Sequence, residues 1–355
     1  MKQIRLSYLF LTITLVTVLT SCHKDKVVSP NATPAGALAG LYILNQGFNG
    51  PNSTLTYYDF TTKALIPDQF SVVNGQGLGN NANDIEIYGS KMYITVDKSG
   101  IVDVVDPKTA KLIKQVIFQN PDLSSMEPRS IAFYKGSAYV TLYSGNVAVM
   151  DTATFTVSKY IPVGRDPEQL VVANNKLYVA NSGGLDFPNY DNTVSIIDLS
   201  SLTVTKTLTV VINPQIITAD ANGNVYVISS GNYGSIPSNL AIIDDNADLI
   251  KSQSNFDATA FTVQGDNAYF ITSAGNVGVY STTTQTITAS NFITDGTKIT
   301  SPYTLTANAI TGEVFVTDAV DYTSNGLLYA FDKTGKKEYS FTVGINPGKI
   351  ALLNK

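Results

Sequence analysis

The chain has 355 residues, 44% hydrophobic and 14% charged, with a formal net charge of -5 at pH 7, one cysteine, one histidine and no tryptophan. A mildly acidic balance argues against nucleic acid or an anionic membrane surface as the principal partner. A single cysteine excludes an internal disulfide. With its only histidine at position 23, the rest of the chain lacks Ser-His-Asp, Cys-His and histidine–metal chemistry, and the absence of tryptophan argues against a tryptophan-docked quinone.

In chain order, Lys2 and Arg5 precede an apolar run from Leu6 to Leu19 that ends in Leu19-Thr20-Ser21-Cys22. Charged, apolar and small-residue segments in that order predict a secretory signal over residues 1–21, too short for a spanning helix. The Leu-Thr-Ser-Cys ending resembles the bacterial lipobox, which implies cleavage before Cys22 and acylation of that cysteine; several acyl chains on one residue anchor stably where a single chain does not. Loss of residues 1–21 removes Lys2 and Arg5 and no acid, so the formal charge moves from -5 to -7. Residues 22–38 are mostly polar or small, carry Pro30 and Pro34, and read as a flexible tether.

From residue 39 to 355 the sequence repeats itself. Three runs at the front, Leu41-Tyr-Ile-Leu, Thr54 to Asp59 and Ala64 to Phe70, are followed by a strand signature that recurs at Asn83, Pro128, Pro167, Pro214, Ala258, Pro302 and Pro347. Those positions are 39 to 47 residues apart, the size of one four-stranded propeller blade. The unit is plainest after Pro128, where three β-branched and aromatic runs, each closed by a turn signal, lead to Asp151 and a fourth run covers Thr156 to Val163. A second-strand signature recurs beside the first, as in Lys91-Met-Tyr-Ile, Ser137-Ala-Tyr-Val, Lys176-Leu-Tyr-Val and Asn224-Val-Tyr-Val. The last opening strand, at Pro347, has no room for three more, and the three runs at the front supply them. The expectation is an all-β, seven-bladed β-propeller with one blade closed by N- and C-terminal strands, which removes free sheet edges.

Asp59, Asp106, Asp151, Asp198, Asp244 and Asp332 end third strands, with Ser281 in the equivalent place. Six copies around a ring point to hairpin-fixing side chains that accept backbone N–H bonds, since one active site needs no such repetition.

The loop entering a first strand and the loop joining second to third strands open on one face of a propeller, and loops on a rigid scaffold carry binding residues. Three second loops are minimal: Asp97-Lys-Ser-Gly, Tyr143-Ser-Gly-Asn and Ser273-Ala-Gly-Asn. Four are long and place Phe48, Phe187, Tyr190, Tyr233 and Tyr322 among Asn, Asp, Ser and Gly, with Asn45, Asp186 and Asn232 beside them. Rings supply rigid contact area and amides adaptable hydrogen bonds. With Asn83, Asp84, Arg129, Glu168, Gln215 and Tyr303 at the channel mouth, these form the candidate ligand-binding set; no catalytic or metal-ligating residue is assigned. Asp84 and Glu168 could flank a calcium ion, as in a lactonase-like hydrolase, but Arg129 and Lys349 in the same ring weaken a hard-cation site.

Over about Gly40 to Lys355 the chain resembles the YncE-like seven-bladed propellers. Leu41-Tyr-Ile-Leu-Asn-Gln-Gly, Asn83-Asp-Ile, the stretch Asn181 to Ser195 and Gly231-Asn-Tyr-Gly resemble the lipoprotein propellers of the Bacteroidetes. That group includes BtuG-type proteins, which capture corrinoids such as vitamin B12 over a TonB-dependent outer-membrane transporter. The resemblance implies a lipid-anchored outer-membrane binding protein, probed first with a corrinoid ligand and having no resident cofactor. A calcium-dependent hydrolase and a protein- or glycan-binding propeller are the alternatives.

Overall fold

The computed structural model describes residues 38–355. The predicted signal, Cys22, His23 and all but the last residue of the tether lie outside the described residues. Within them, seven antiparallel four-stranded sheets form a propeller. Blade 1 joins Leu38–Asn45, Thr54–Asp59 and Leu65–Ile66 to the C-terminal strand Pro347–Asn354, which is innermost. Blades 2 to 7 open on Ala82–Tyr88, Pro128–Tyr134, Pro167–Ala173, Pro214–Ala219, Ala260–Gln264 and Pro302–Ala307 and run outward in sequence order. Fold and closure are as the repeat predicts.

The run Ala64 to Phe70 is not one strand, however. Only Leu65–Ile66 pairs, and a short helix, Gln69–Asn74, follows. The Asp68 side chain accepts from the Ser71 amide at its start, and Gly75 in the left-handed region ends it. A capped turn swings the wholly buried Phe70 into the seam with blade 2, which a straight strand would not do.

Packing follows from the two-residue period of a strand between two neighbours. Each buried apolar cluster spans one blade junction. Leu41 and Ile43 pack toward blade 7, whereas Tyr42 and Leu44 pack toward blade 2. Met92 and Ile94 face blade 1, and the intervening Tyr93 faces blade 3. This alternation explains the recurring second-strand tyrosine, whose hydroxyl crosses the junction at Tyr42, Tyr93 and Tyr178, whereas Tyr226 Oη bonds Asp220 of its own blade. Tyr42 Oη donates to the Pro107 carbonyl of blade 2 (2.9 Å), and Tyr178 Oη donates to Asp248 Oδ1 of blade 5 (2.7 Å).

A second tie recurs nearer the axis. Register shifts in the innermost strands free one amide from its partner, at Asp84, Ser130 and Thr304. Thr95, Thr141 and Thr317 accept from those amides at 3.0 Å. The same hydroxyls donate to carbonyls of the next blade, at Arg129, Glu168 and Pro347 (2.7–2.8 Å). Each threonine satisfies a bulge and stitches two blades.

The third-strand aspartates fix hairpins as expected. Asp198 Oδ1, for instance, accepts from the Ser200 and Ser201 amides (3.0 and 2.8 Å), and Asp59, Asp106, Asp151, Asp244 and Asp332 accept likewise. Hydrogen bonds from Ser200 and Ser201 hold the Asp198 carboxyl at about 2.

Candidate functional site

In the ladders Asn45 lies opposite Pro347, Asn181 opposite Pro167, Ser229 opposite Pro214 and Asp318 opposite Pro302. The ends of second strands thus sit beside the starts of first strands, and both loop types emerge on one face. Below them a central channel of about 1240 Å³ is lined by all seven innermost strands.

One sector of the mouth is charged, with its cations held in ion pairs. Arg129 reaches Asp97 Oδ2 at 2.7 Å and Glu168 Oε2 at 3.0 Å, its guanidinium lies 4.6 Å from the Tyr143 ring centre, and Tyr143 Oη donates to Glu168 Oε1. Burial opposes the Arg129 charge, but Glu168, Tyr143 and Asp97 outweigh it and push its pKa up. Asn83 Nδ2 donates to the Arg129 carbonyl (2.8 Å). Asp84, almost wholly buried, binds Lys349 Nζ (2.9 Å) and accepts from Ser130 Oγ (2.7 Å) and the Ile131 amide (3.0 Å). Lys349 also reaches Glu86 Oε1 at 3.3 Å. Burial pushes the Glu86 carboxyl up to about 7, with Lys349 opposing and Asp84 adding to the rise. Asp84 and Glu168, the carboxylates a calcium ion would need, are committed to Lys349 and Arg129.

The other sector is aromatic and neutral. Phe187, 71% exposed, stands edge-on to Tyr190 at 5.9 Å between ring centres, and Tyr190 stands edge-on to Tyr233 at 6.2 Å. Tyr233, 69% exposed, accepts through Oη from Asn213 Nδ2 (3.3 Å) and Gln215 Nε2 (3.2 Å), which leaves its own O–H free to donate outward. Across the mouth Tyr303 donates to Gln46 Oε1 (2.7 Å) and stacks edge-on with the half-exposed Tyr322 at 5.9 Å. Phe48 is exposed on the blade 1 loop.

These loops keep their shape through local chemistry. Gly183 and Gly231 open the blade 4 and blade 5 loops with φ of +59° and +67°; a Cβ on Gly231 would lie 2.0 Å from the Ile236 carbonyl oxygen. Asn232 is turned into its own loop, accepting from the Gly234 and Ile236 amides. Arg165 pins the blade 4 loop, binding Asp186 (2.6 Å), Asp191 and the Asn189 carbonyl (2.8 Å).

Of the sequence-predicted set, the structure gathers Phe187, Tyr190, Tyr233 and Gln215 in one sector and Tyr303 with Tyr322 in another. Asn83, Asp84, Arg129 and Glu168 form the ion-paired sector, while Asp186 and Asn232 are spent on loop geometry. Asn45 is not on the face. It is fully buried, and its Nδ2 donates to Thr54 and Thr56 of the adjacent strand. Sequence reasoning missed Gln46, Asp97, Tyr143, Arg165 and Asn213. Only Arg165 carried a signal, as a lone cation just before the acidic loop it holds.

Over residues 39–345 the chain matches the model of a family described as a domain of unknown function, DUF5074. The chain belongs to the DUF5074 family. No curated protein matches this DUF5074 sequence. Among solved structures, a quinonprotein alcohol dehydrogenase-like protein from Bacteroides thetaiotaomicron aligns at TM-score 0.65 and 18% identity, covering 89% of this chain and 78% of that one. The computationally designed Ika8 protein aligns at 0.59 and 13%, covering 90% and 98%. Hydrazine synthase from Kuenenia stuttgartiensis aligns at 0.57 and 13%, covering 75% and 93%. At such identities the likeness is one of fold.

Proposed function

We propose that this DUF5074 propeller is a lipid-anchored cell-envelope binding protein that captures a rigid, amide-bearing ligand, a corrinoid being the first to test, for delivery to an outer-membrane transporter. The observation that carries the reading is the exposed row Phe187–Tyr190–Tyr233 beside the channel mouth, with the amides of Asn213 and Gln215 behind it. Large apolar rings left in water on a pinned loop lose little conformational entropy when they are covered. A broad ligand bearing amides suits rings flanked by amides. The lipobox-like Cys22 and the resemblance to corrinoid-capturing lipoproteins support the anchor and the ligand class. A calcium-dependent hydrolase is disfavoured, because Lys349 and Arg129 occupy its carboxylates.

Calorimetric titration with cyanocobalamin tests this. One-to-one binding is expected, weakened about tenfold or more in Tyr190→Ala and in Tyr233→Ala. Absence of heat at roughly 100 µM ligand, a range in which even micromolar affinity saturates, rejects the corrinoid. Unchanged affinity in both variants rejects the face. Co-purification of an envelope protein or glycan without added ligand supports the interaction reading instead.

A further inference from the structure

The channel wall is divided in a way the face alone does not require. All charged side chains lining the upper channel, Asp84, Glu86, Arg129, Glu168 and Lys349, come from blades 1 to 4, and both cations are already held in ion pairs. The remaining charged residues of the lining, Asp106, Lys108 and Lys355, belong to the blade 2 hairpin and the C-terminus, at the opposite end. Blades 5 to 7 contribute no charged side chain to the lining. Their polar lining includes Gln215, Thr218, Thr262, Tyr303, Thr304 and Thr306. Of these, Thr262 and Thr306 are partly open to the channel, whereas Thr218 Oγ1 is wholly buried and out of a ligand's reach.

We infer that the channel is a second compartment, which takes a neutral appendage rich in hydroxyl or amide groups, such as a glycosyl or carboxamide arm, against blades 5 to 7 and rejects an anionic one. The inference rests on the reading that this face binds ligand. A neutral arm exchanges its water for the partly open hydroxyls of Thr262 and Thr306. A phosphate or carboxylate entering from the mouth loses its hydration without gaining a free cation at that end and meets Asp84, Glu86 and Glu168. Opposed donor and acceptor walls of this kind discriminate by leaving the wrong group unpaired.

The test uses the full chain and two matched probes, N-acetylglucosamine and its 6-phosphate, at about 10 mM, a concentration that detects millimolar affinity. Saturation-transfer NMR is expected to show the neutral sugar at least fivefold more strongly than its phosphate. That signal is expected to fall at least threefold in Thr262→Val and in Thr306→Val. Both positions are partly open to the channel, so either variant carries the test should the other fold poorly. Equal signals from the two sugars, no signal from either, or a signal untouched by both substitutions overturns the compartment. Cyanocobalamin calorimetry is read separately, so a failed corrinoid reading and a failed channel reading give different results.

Discussion

A single carboxylate in blade 2 shows how the ring handles charge away from its mouth. Asp103 is 1% exposed; its Oδ1 accepts from Gln115 Nε2 at 3.0 Å, and its Oδ2 has no partner. Burial pushes this carboxyl up to about 6, with Gln115 pulling the other way. Because the folded value lies above the unfolded one, the group favours the folded state below pH ~4, and that advantage is lost as pH rises through 6. Asp103→Asn keeps the shape and removes the charge. Urea unfolding is expected to show Asn more stable than the parent by about 1–3 kcal/mol at pH 8. At pH 4 the two curves should nearly coincide; a gain that persists unchanged at pH 4 rules out titration of Asp103 as its cause. Glu86, raised to about 7 at the channel wall, predicts a decline of the same sign that extends to about pH 7.

At the scale of elements, junctions between blades carry two repeated ties, and each can be cut alone. Thr141→Val removes the hydroxyl that bridges the Ser130 amide and the Glu168 carbonyl, leaving a buried donor and acceptor unmet. A loss of about 1–3 kcal/mol in denaturant titration is expected, against little change for a Val at the exposed Thr288. The elements were legible in the sequence because a strand buried on both faces repeats its pattern every blade, so opening strands, second-strand tyrosines and hairpin aspartates stood out by position. Asn45 was misplaced because strand-end and loop asparagines read alike. The distinguishing signal was the hydroxyl pair Thr54 and Thr56 on the facing strand, matched by Thr193 and Ser195 opposite the equally buried Asn181. The division of the mouth into an ion-paired and a neutral sector depends on which blades become neighbours and where long side chains reach, and periodicity carries neither.

For the whole molecule, closure depends on one strand. Pro347–Asn354 is the innermost strand of blade 1 and buries Ile350 with blade 7 and Leu353 with blade 2. Truncation after residue 346 exposes the edge of Leu38–Asn45 and opens both junctions. Loss of a single cooperative calorimetric transition and association in size-exclusion chromatography are expected; a monomer with the parent's transition contradicts this account of closure. The same blade also determines how the protein bears load. Leu38–Asn45 starts on the side away from the long-loop face and is bonded along both edges, to Thr54–Asp59 and to Pro347–Asn354. Under the proposed N-terminal anchor, drag on the propeller would pull along that strand's axis. Its hydrogen bonds are then strained in parallel shear instead of being unzipped one after another, so the point where the ring is fastened is also the point best built to be pulled.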